Sequence, residues 1–197
     1  MKKNRLSLAF LGLLIAASPL RAQDTLQNET VEQKDKRMEW FSQAKLGIFI
    51  HWGIYSVPAF APHTWELGEV DSKEWFADNP YAEWYYNSLN IGKGPTYKHH
   101  IEKYGKDFKY EDFIPMWKAE NWDPKQWAEI FKEAGAEYVV LTTKHHDGFC
   151  LFPSKYTHFN SVEMGPKRNI TGELTEAVRD AGIRMGLYYS GLIDWQY

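Results

Sequence analysis

The chain has 197 residues, with 23 Lys and Arg against 26 Asp and Glu, a formal net charge of −3, and an aromatic content of 16% that includes 9 Trp and 12 Tyr. Charges of both signs are mixed along it, which removes the electrostatic reason to expect nucleic acid or an anionic membrane as partner. The single cysteine, Cys150, excludes an internal disulfide framework and reads as a buried structural thiol.

Residues 1–22 read as a secretory signal peptide. Lys2, Lys3 and Arg5 form a basic start, Leu6–Ala17 is apolar, and Leu20-Arg21-Ala22 offers a small residue at a cleavage point before Gln23. The apolar run is short for a membrane span. The expectation is therefore export, to the periplasm or outside in a bacterium and to the lysosome in an animal, with no membrane attachment after cleavage. Residues 23–36 are polar and without apolar period, and read as a flexible leader. The remainder, residues 37–197, is long enough for one domain with its own core.

A short helix is expected over Asp35–Gln43, then an apolar strand over Lys45–Trp52 that ends in His51, Trp52 and Gly53. Tyr55 to about Lys109 is the least regular part, broken by Pro58, Pro62, Pro80 and Pro95 and filled with aromatics. A helix is expected there over Asn79–Leu89, carrying Glu83, Trp84 and Tyr85. So long an excursion between strands commonly builds one wall of a site, although its aromatics equally suit inward packing. Regularity returns with Asp123 as N-cap, Pro124 at the first helical position and Gly135 as C-terminal stop. Trp127, Ile130, Phe131 and Ala134 share one predicted helix face. The strand Tyr138–Thr143 follows, then Lys144, His145, His146, Asp147 and Gly148. A helix over Thr171–Asp180, stopped by Gly182, leads to the strand Arg184–Tyr189. The repeated helix–Gly–strand unit indicates parallel strands in an open doubly wound sheet or a (β/α)8 barrel, and polar clusters at all three strand exits favour the barrel. No glycine-rich phosphate loop follows any strand.

Histidines at strand exits could ligate a metal, act as bases or hold a substrate. His51, His145 and His146 are a candidate trio. Adjacent residues on a regular strand point to opposite faces, however, so His145 and His146 could act together only at a distorted exit. No Gly-x-Ser-x-Gly elbow supports a serine nucleophile. Of the carboxylates Glu66, Glu83, Asp147 and Asp194, no pair stands out as the nucleophile and acid that glycoside hydrolysis requires.

Gly47–Gly53 (G-I-F-I-H-W-G), Ser56–Ala59, Glu83-Trp84-Tyr85, Tyr138–Phe149 (with T-K-H-H-D-G-F) and Met164–Arg168 closely resemble the family 29 glycoside hydrolases, the retaining α-L-fucosidases. The resemblance runs in order from about Arg37 to Tyr197. It implies the N-terminal portion of a (β/α)8 TIM-like barrel, truncated after about three strands, with a β-sandwich following in the family. It implies hydrolysis of terminal α-linked L-fucose from a fucosylated oligosaccharide or glycoconjugate through a covalent intermediate, with no metal and no organic cofactor. Substrate-binding positions carried over are His51, Glu83, Trp84, His145, His146 and Tyr188. The nucleophilic aspartate is expected at the next strand exit, beyond Tyr197, so residues 23–197 alone are expected to be inactive and poorly stable. A homo-oligomer is left open for the full-length protein. The competing classes are a non-catalytic carbohydrate-binding protein and a metal-dependent hydrolase.

Overall fold

A computed structural model describes residues 28–63, 69, 71–77 and 79–196. The signal-peptide reading and Glu66 lie outside the described residues. The chain divides into two units, Met1–Gln43 and Ala44–Tyr197.

In the first unit, helix α1 spans Val31–Gln43, starting earlier than the expected Asp35, so residues 31–36 of the assigned leader are helical. The cause is a capping box. Gln33 N–H donates to Thr30 Oγ1 at 3.2 Å, and Thr30 N–H donates to Gln33 Oε1 at 2.9 Å. Arg37 adds a two-pronged pair to Glu29, with Nε and Nη2 each 2.7 Å from a carboxylate oxygen.

The second unit is built on a parallel sheet of three strands in the order β1 (Gly47–Ile50), β2 (Tyr138–Lys144) and β3 (Arg184–Tyr189). The register aligns Ile48, Val139 and Met185 in one row and Phe49, Val140 and Gly186 in the next. Because side chains alternate along a strand, the sheet has two distinct faces. Ile48, Ile50, Val139, Leu141 and Met185 join the hydrophobic core, where Leu174 and Val178 of the helix preceding β3 are fully buried. Each of the fully buried side chains contributes roughly 1.5–3 kcal/mol by leaving water, and the partly buried ones less. The opposite row carries Phe49, which is half exposed.

Both connecting helices form as the sequence dictates. In α5 (Pro124–Glu133), Asp123 Oδ1 accepts from Lys125 and Gln126 N–H at 3.1 and 3.0 Å. In α6 (Ile170–Asp180), Asn169 Oδ1 accepts from Gly172 N–H at 3.0 Å. Gly135 and Gly182 end the two helices with φ of 81° each, and in both the residue after the glycine bonds back five positions. The buried face of α5 is narrower than expected. Trp127 and Phe131 pack on the core and Ala128 is buried, but Ile130 and Ala134 are exposed. The helix rolls Ala128 toward α6, which turns Ile130 outward.

The excursion between β1 and β2 folds as short pieces. They are a 3-10 turn Ile54–Ser56, helix α2 (Ser72–Ala77), a 3-10 turn Ala82–Trp84, helices α3 (Tyr85–Ile91) and α4 (Pro95–Tyr104), and a 3-10 segment Tyr110–Met116. The single helix expected over Asn79–Leu89 is thus a 3-10 turn followed by α3, which ends at the left-handed Gly92. Pro80 keeps the chain extended before it. Many of its aromatics are structural: Tyr85, Tyr110 and Phe113 are buried, and Phe113 packs edge-on against Tyr85, Tyr104 and Phe108.

Candidate active site

The carboxyl ends of the three strands gather one cluster of rings. His51 follows β1 on the Phe49 side of the sheet and stacks on the Phe49 ring at 5.1 Å, and Trp52, the next residue, points the other way into Trp117, Trp122 and Trp127 at 5.0 to 5.3 Å. His145 lies 5.5 Å from His51 and 4.7 Å from His146. Trp84, from the 3-10 turn of the excursion, packs edge-on to His146 at 5.9 Å. Tyr188 of β3 meets Phe49 at 5.5 Å, and its hydroxyl accepts from Ser190 Oγ at 3.2 Å. Five of the six predicted site residues therefore stand in one continuous ring set. The sixth, Glu83, is half-buried beside Trp84, and its charge reaches Tyr55 in the same wall.

Two neighbouring histidines share this cluster because the exit of β2 is distorted. The register with β3 shifts between Thr142 and Lys144, and Thr143 Oγ1 donates to Tyr188 O at 2.8 Å. A bulge of this kind re-aims side chains that a flat strand would send to opposite faces. The next turn is tied by Asp147, whose Oδ1 accepts from Phe149 N–H at 3.2 Å and whose Oδ2 accepts from Tyr110 O–H at 2.8 Å. Gly148 follows at φ 83°.

Burial sets the electrostatics. His145 is 6% exposed. Its removal from water, with His146, His51 and Lys144 nearby, lowers its pKa to about 3, so the ring is neutral. Asp147 is fully buried, and desolvation pushes its pKa up to about 6, against the opposing pull of the Tyr110 and Phe149 bonds. Tyr55, 6.0 Å from His145, is raised well above the usual phenol range by burial first and by Asp147 and Glu83 second.

Two ring residues escaped sequence reasoning. Phe49 lies two positions before His51, and the strand period of two was the signal that puts both on one face. Trp195 follows β3 and packs 5.0 Å from Trp84, 5.3 Å from His146 and 6.1 Å from His145. Among the described residues, no group of three His, Cys, Asp or Glu side chains is placed to hold a metal ion.

The cluster, with hydrogen-bonding imidazoles set among aromatic faces, suits a pyranose: apolar ring faces stack on aromatics while hydroxyls meet ring nitrogens. Known proteins agree with that chemistry. The family model described as Alpha-L-fucosidase matches residues 14–197. The Plasma alpha-L-fucosidase of Homo sapiens is 43% identical over 170 residues, covering 84% of this chain and 32% of the relative, and the Alpha-L-fucosidase of Dictyostelium discoideum is 42% identical over 160 residues, 79% of this chain and 31% of the relative. The chain thus spans about a third of the length of the curated relatives it matches. Among solved structures, a Thermotoga maritima alpha-L-fucosynthase in complex with alpha-L-Fuc-(1-2)-beta-L-Fuc-N3 is 59% identical with a TM-score of 0.77, covering 81% of this chain and 36% of that one. An alpha-L-fucosidase from Bacteroides thetaiotaomicron is 36% identical with a TM-score of 0.54, covering 80% of this chain and 30% of that one. The chain belongs to the alpha-L-fucosidase family.

Proposed function

We propose that the complete protein is a retaining α-L-fucosidase that removes terminal α-linked L-fucose from glycans or glycoconjugates, and that β1 to β3 belong to a (β/α)8 barrel. The observation that carries the reading is the convergence of His51, His145, His146, Trp84 and Tyr188 on one strand-exit edge. In this reading the imidazoles bond the sugar hydroxyls. Phe49 and Tyr188 form an apolar patch suited to the methyl group that distinguishes a 6-deoxy sugar. Glu83 is a further hydrogen-bonding group beside Trp84.

A retaining mechanism needs a carboxylate nucleophile and a second carboxyl group about 5–5.5 Å away as acid and base. Asp147 is committed to Tyr110 and Phe149, and Asp194 to Lys144. In this reading the nucleophile comes from outside the described residues, and the present cluster holds the sugar for its attack. The reading carries with it export to the periplasm or outside a bacterial cell, or to an animal lysosome.

The test is hydrolysis of an aryl α-L-fucoside by the product of the complete gene, with the anomer first released read by proton NMR. Net retention is expected, along with no turnover by residues 23–197 alone. Binding of fucose without turnover by the complete product would instead mean a carbohydrate-binding protein, and loss of turnover with a chelator would mean a metal-dependent hydrolase.

A further inference from the structure

Past the end of β3, Ser190–Gln196 forms a strap across the exit of β2. Ser190 N–H donates to Lys144 O at 3.0 Å and Trp195 N–H donates to His146 O at 2.7 Å, so two backbone bonds tie the strap to the end of β2 and the turn after it. Lys144, almost wholly buried, fastens the strap by its side chain. Its Nζ stands 3.0 Å from both Ser190 O and Asp194 Oδ2. Asp194 Oδ1 accepts from Gln196 N–H at 3.1 Å. The strap lies so close to the β2 turn that a Cβ on Gly148 would be 2.7 Å from Asp194 Oδ1. Asn90 Nδ2 of α3 donates to Trp195 O at 3.5 Å on the other side.

The strap also reaches the ring of His146, whose Nδ1 lies 3.2 Å from Ile193 O. A carbonyl oxygen only accepts, so this bond exists only with the proton on Nδ1. In the neutral ring Nε2 then carries a lone pair. His145 is in the reverse condition, because its Nδ1 is buried with no bonding partner among the described residues. An orphaned acceptor is tolerated more readily than an orphaned N–H, so the proton of His145 belongs on Nε2. The desolvation that keeps this ring neutral makes the choice of tautomer binary.

We infer that the strap Ser190–Gln196 fixes His146 as a hydrogen-bond acceptor beside His145 as a donor, so that the adjacent histidines meet a sugar with opposite hydrogen-bonding sense. The pair fits a vicinal diol, in which one hydroxyl oxygen accepts from His145 Nε2–H and the neighbouring hydroxyl donates to His146 Nε2. Ile193, through its carbonyl, and Asp194, through Lys144, are then positioning residues. The inference rests on the fucosidase reading for its sugar, but the tautomers themselves do not depend on turnover.

The experiment is nitrogen-15 NMR of the complete gene product labelled at histidine, with the two rings assigned by the signals missing from His145→Gln and His146→Gln. The expected result is an Nδ1-protonated ring for His146 and an Nε2-protonated ring for His145 near neutral pH. An Nε2-protonated His146, or the same tautomer for both, overturns the proposal. Asp194→Asn should convert His146 to a mixture of tautomers and raise KM for an aryl α-L-fucoside about tenfold, the worth of one hydrogen bond, with kcat changed less than about twofold. A folded Asp194→Asn enzyme with unchanged His146 signals overturns the strap's role. If that variant fails to fold, the native tautomers still decide. If the native protein shows the expected tautomers yet cleaves no fucoside, the pairing stands and the fucosidase reading falls.

Discussion

The exits of β1 and β2 share one short pattern, an apolar strand followed by histidine and then glycine, yet they fold to different ends. After β1, His51 stays exposed and leans on Phe49, while Trp52 is taken into a nest of three tryptophans. After β2, the strand bulges, His145 is stripped of water, and the neighbouring Asp147 is buried under Tyr110. Nothing within either motif produces this difference. It comes from segments far along the chain, the Tyr110–Met116 turn and the strap after β3, which cover one exit and leave the other open. A local motif thus establishes that polar groups sit at the sheet's edge, and distant chain decides which of them is desolvated.

The comparison is broken most directly at Lys144. Removing one partner of a buried ion pair leaves the other uncompensated, at a cost of 3–5 kcal/mol when both are fully buried. Asp194 is 28% exposed and can recover water, so Lys144→Met should cost about 2–3 kcal/mol in chemical denaturation. The equivalent insult at the open exit, His51→Ala, should change stability by under about 0.5 kcal/mol. Equal costs at the two exits would erase the distinction.

A finer cut compares the histidines by activity. His145→Ala removes a preorganised donor and leaves a void among His51, His146 and Tyr55, and should lower kcat/KM of the complete enzyme about 100-fold. His51→Ala removes a group that water can replace, and about tenfold is expected. Steady-state kinetics on an aryl α-L-fucoside reads both. A larger loss at His51 would mean that exposure in this chain is a poor guide to contact with the sugar.

The regular part of the fold was legible for the reason the exits were not. The two helix–Gly–strand junctions are specified by residues adjacent in sequence: Asp123 and Asn169 cap their own helices, and Gly135 and Gly182 take the same φ. Strand β3 accordingly runs over the expected Arg184–Tyr189. His51, Glu83, Trp84, His145, His146 and Tyr188 were identified through a motif resemblance, not through any geometry that spacing alone could supply. Trp195 and the strap were missed because their role arises only when Lys144 reaches across to Asp194, fifty residues later. The capping box at Thr30 and Gln33 was present in the sequence and outweighed by the polarity around it.

The two junctions predict their own equivalence. A Cβ added at Gly135 or Gly182 meets no atom of the described residues within 4 Å, so the left-handed backbone is what penalises a side chain there. Gly135→Ala and Gly182→Ala should each cost about 1–2 kcal/mol. Unequal values in denaturant melts would mean that the two βα units are held by different means.

The smallest effect in the native protein is a cancellation at the β2 exit. A lowered histidine pKa gives stability that rises with pH, because between about 3 and 6.5 the unfolded ring binds the proton and the folded His145 does not. A raised carboxyl pKa does the reverse. Between 3.8 and about 6 the folded Asp147 holds a proton that the unfolded group has released, so stability is lost as pH rises through that window. Over pH 4–6 the two slopes oppose, and their sum should stay within about 1 kcal/mol. Each variant exposes the partner's slope. Relative to the native protein, Asp147→Asn should gain stability as pH rises from 4 to 6, and His145→Ala should lose it. Denaturant melts across this range check both, and difference curves of the same sign for Asp147→Asn and His145→Ala would show that the closed exit is not desolvated as its geometry requires.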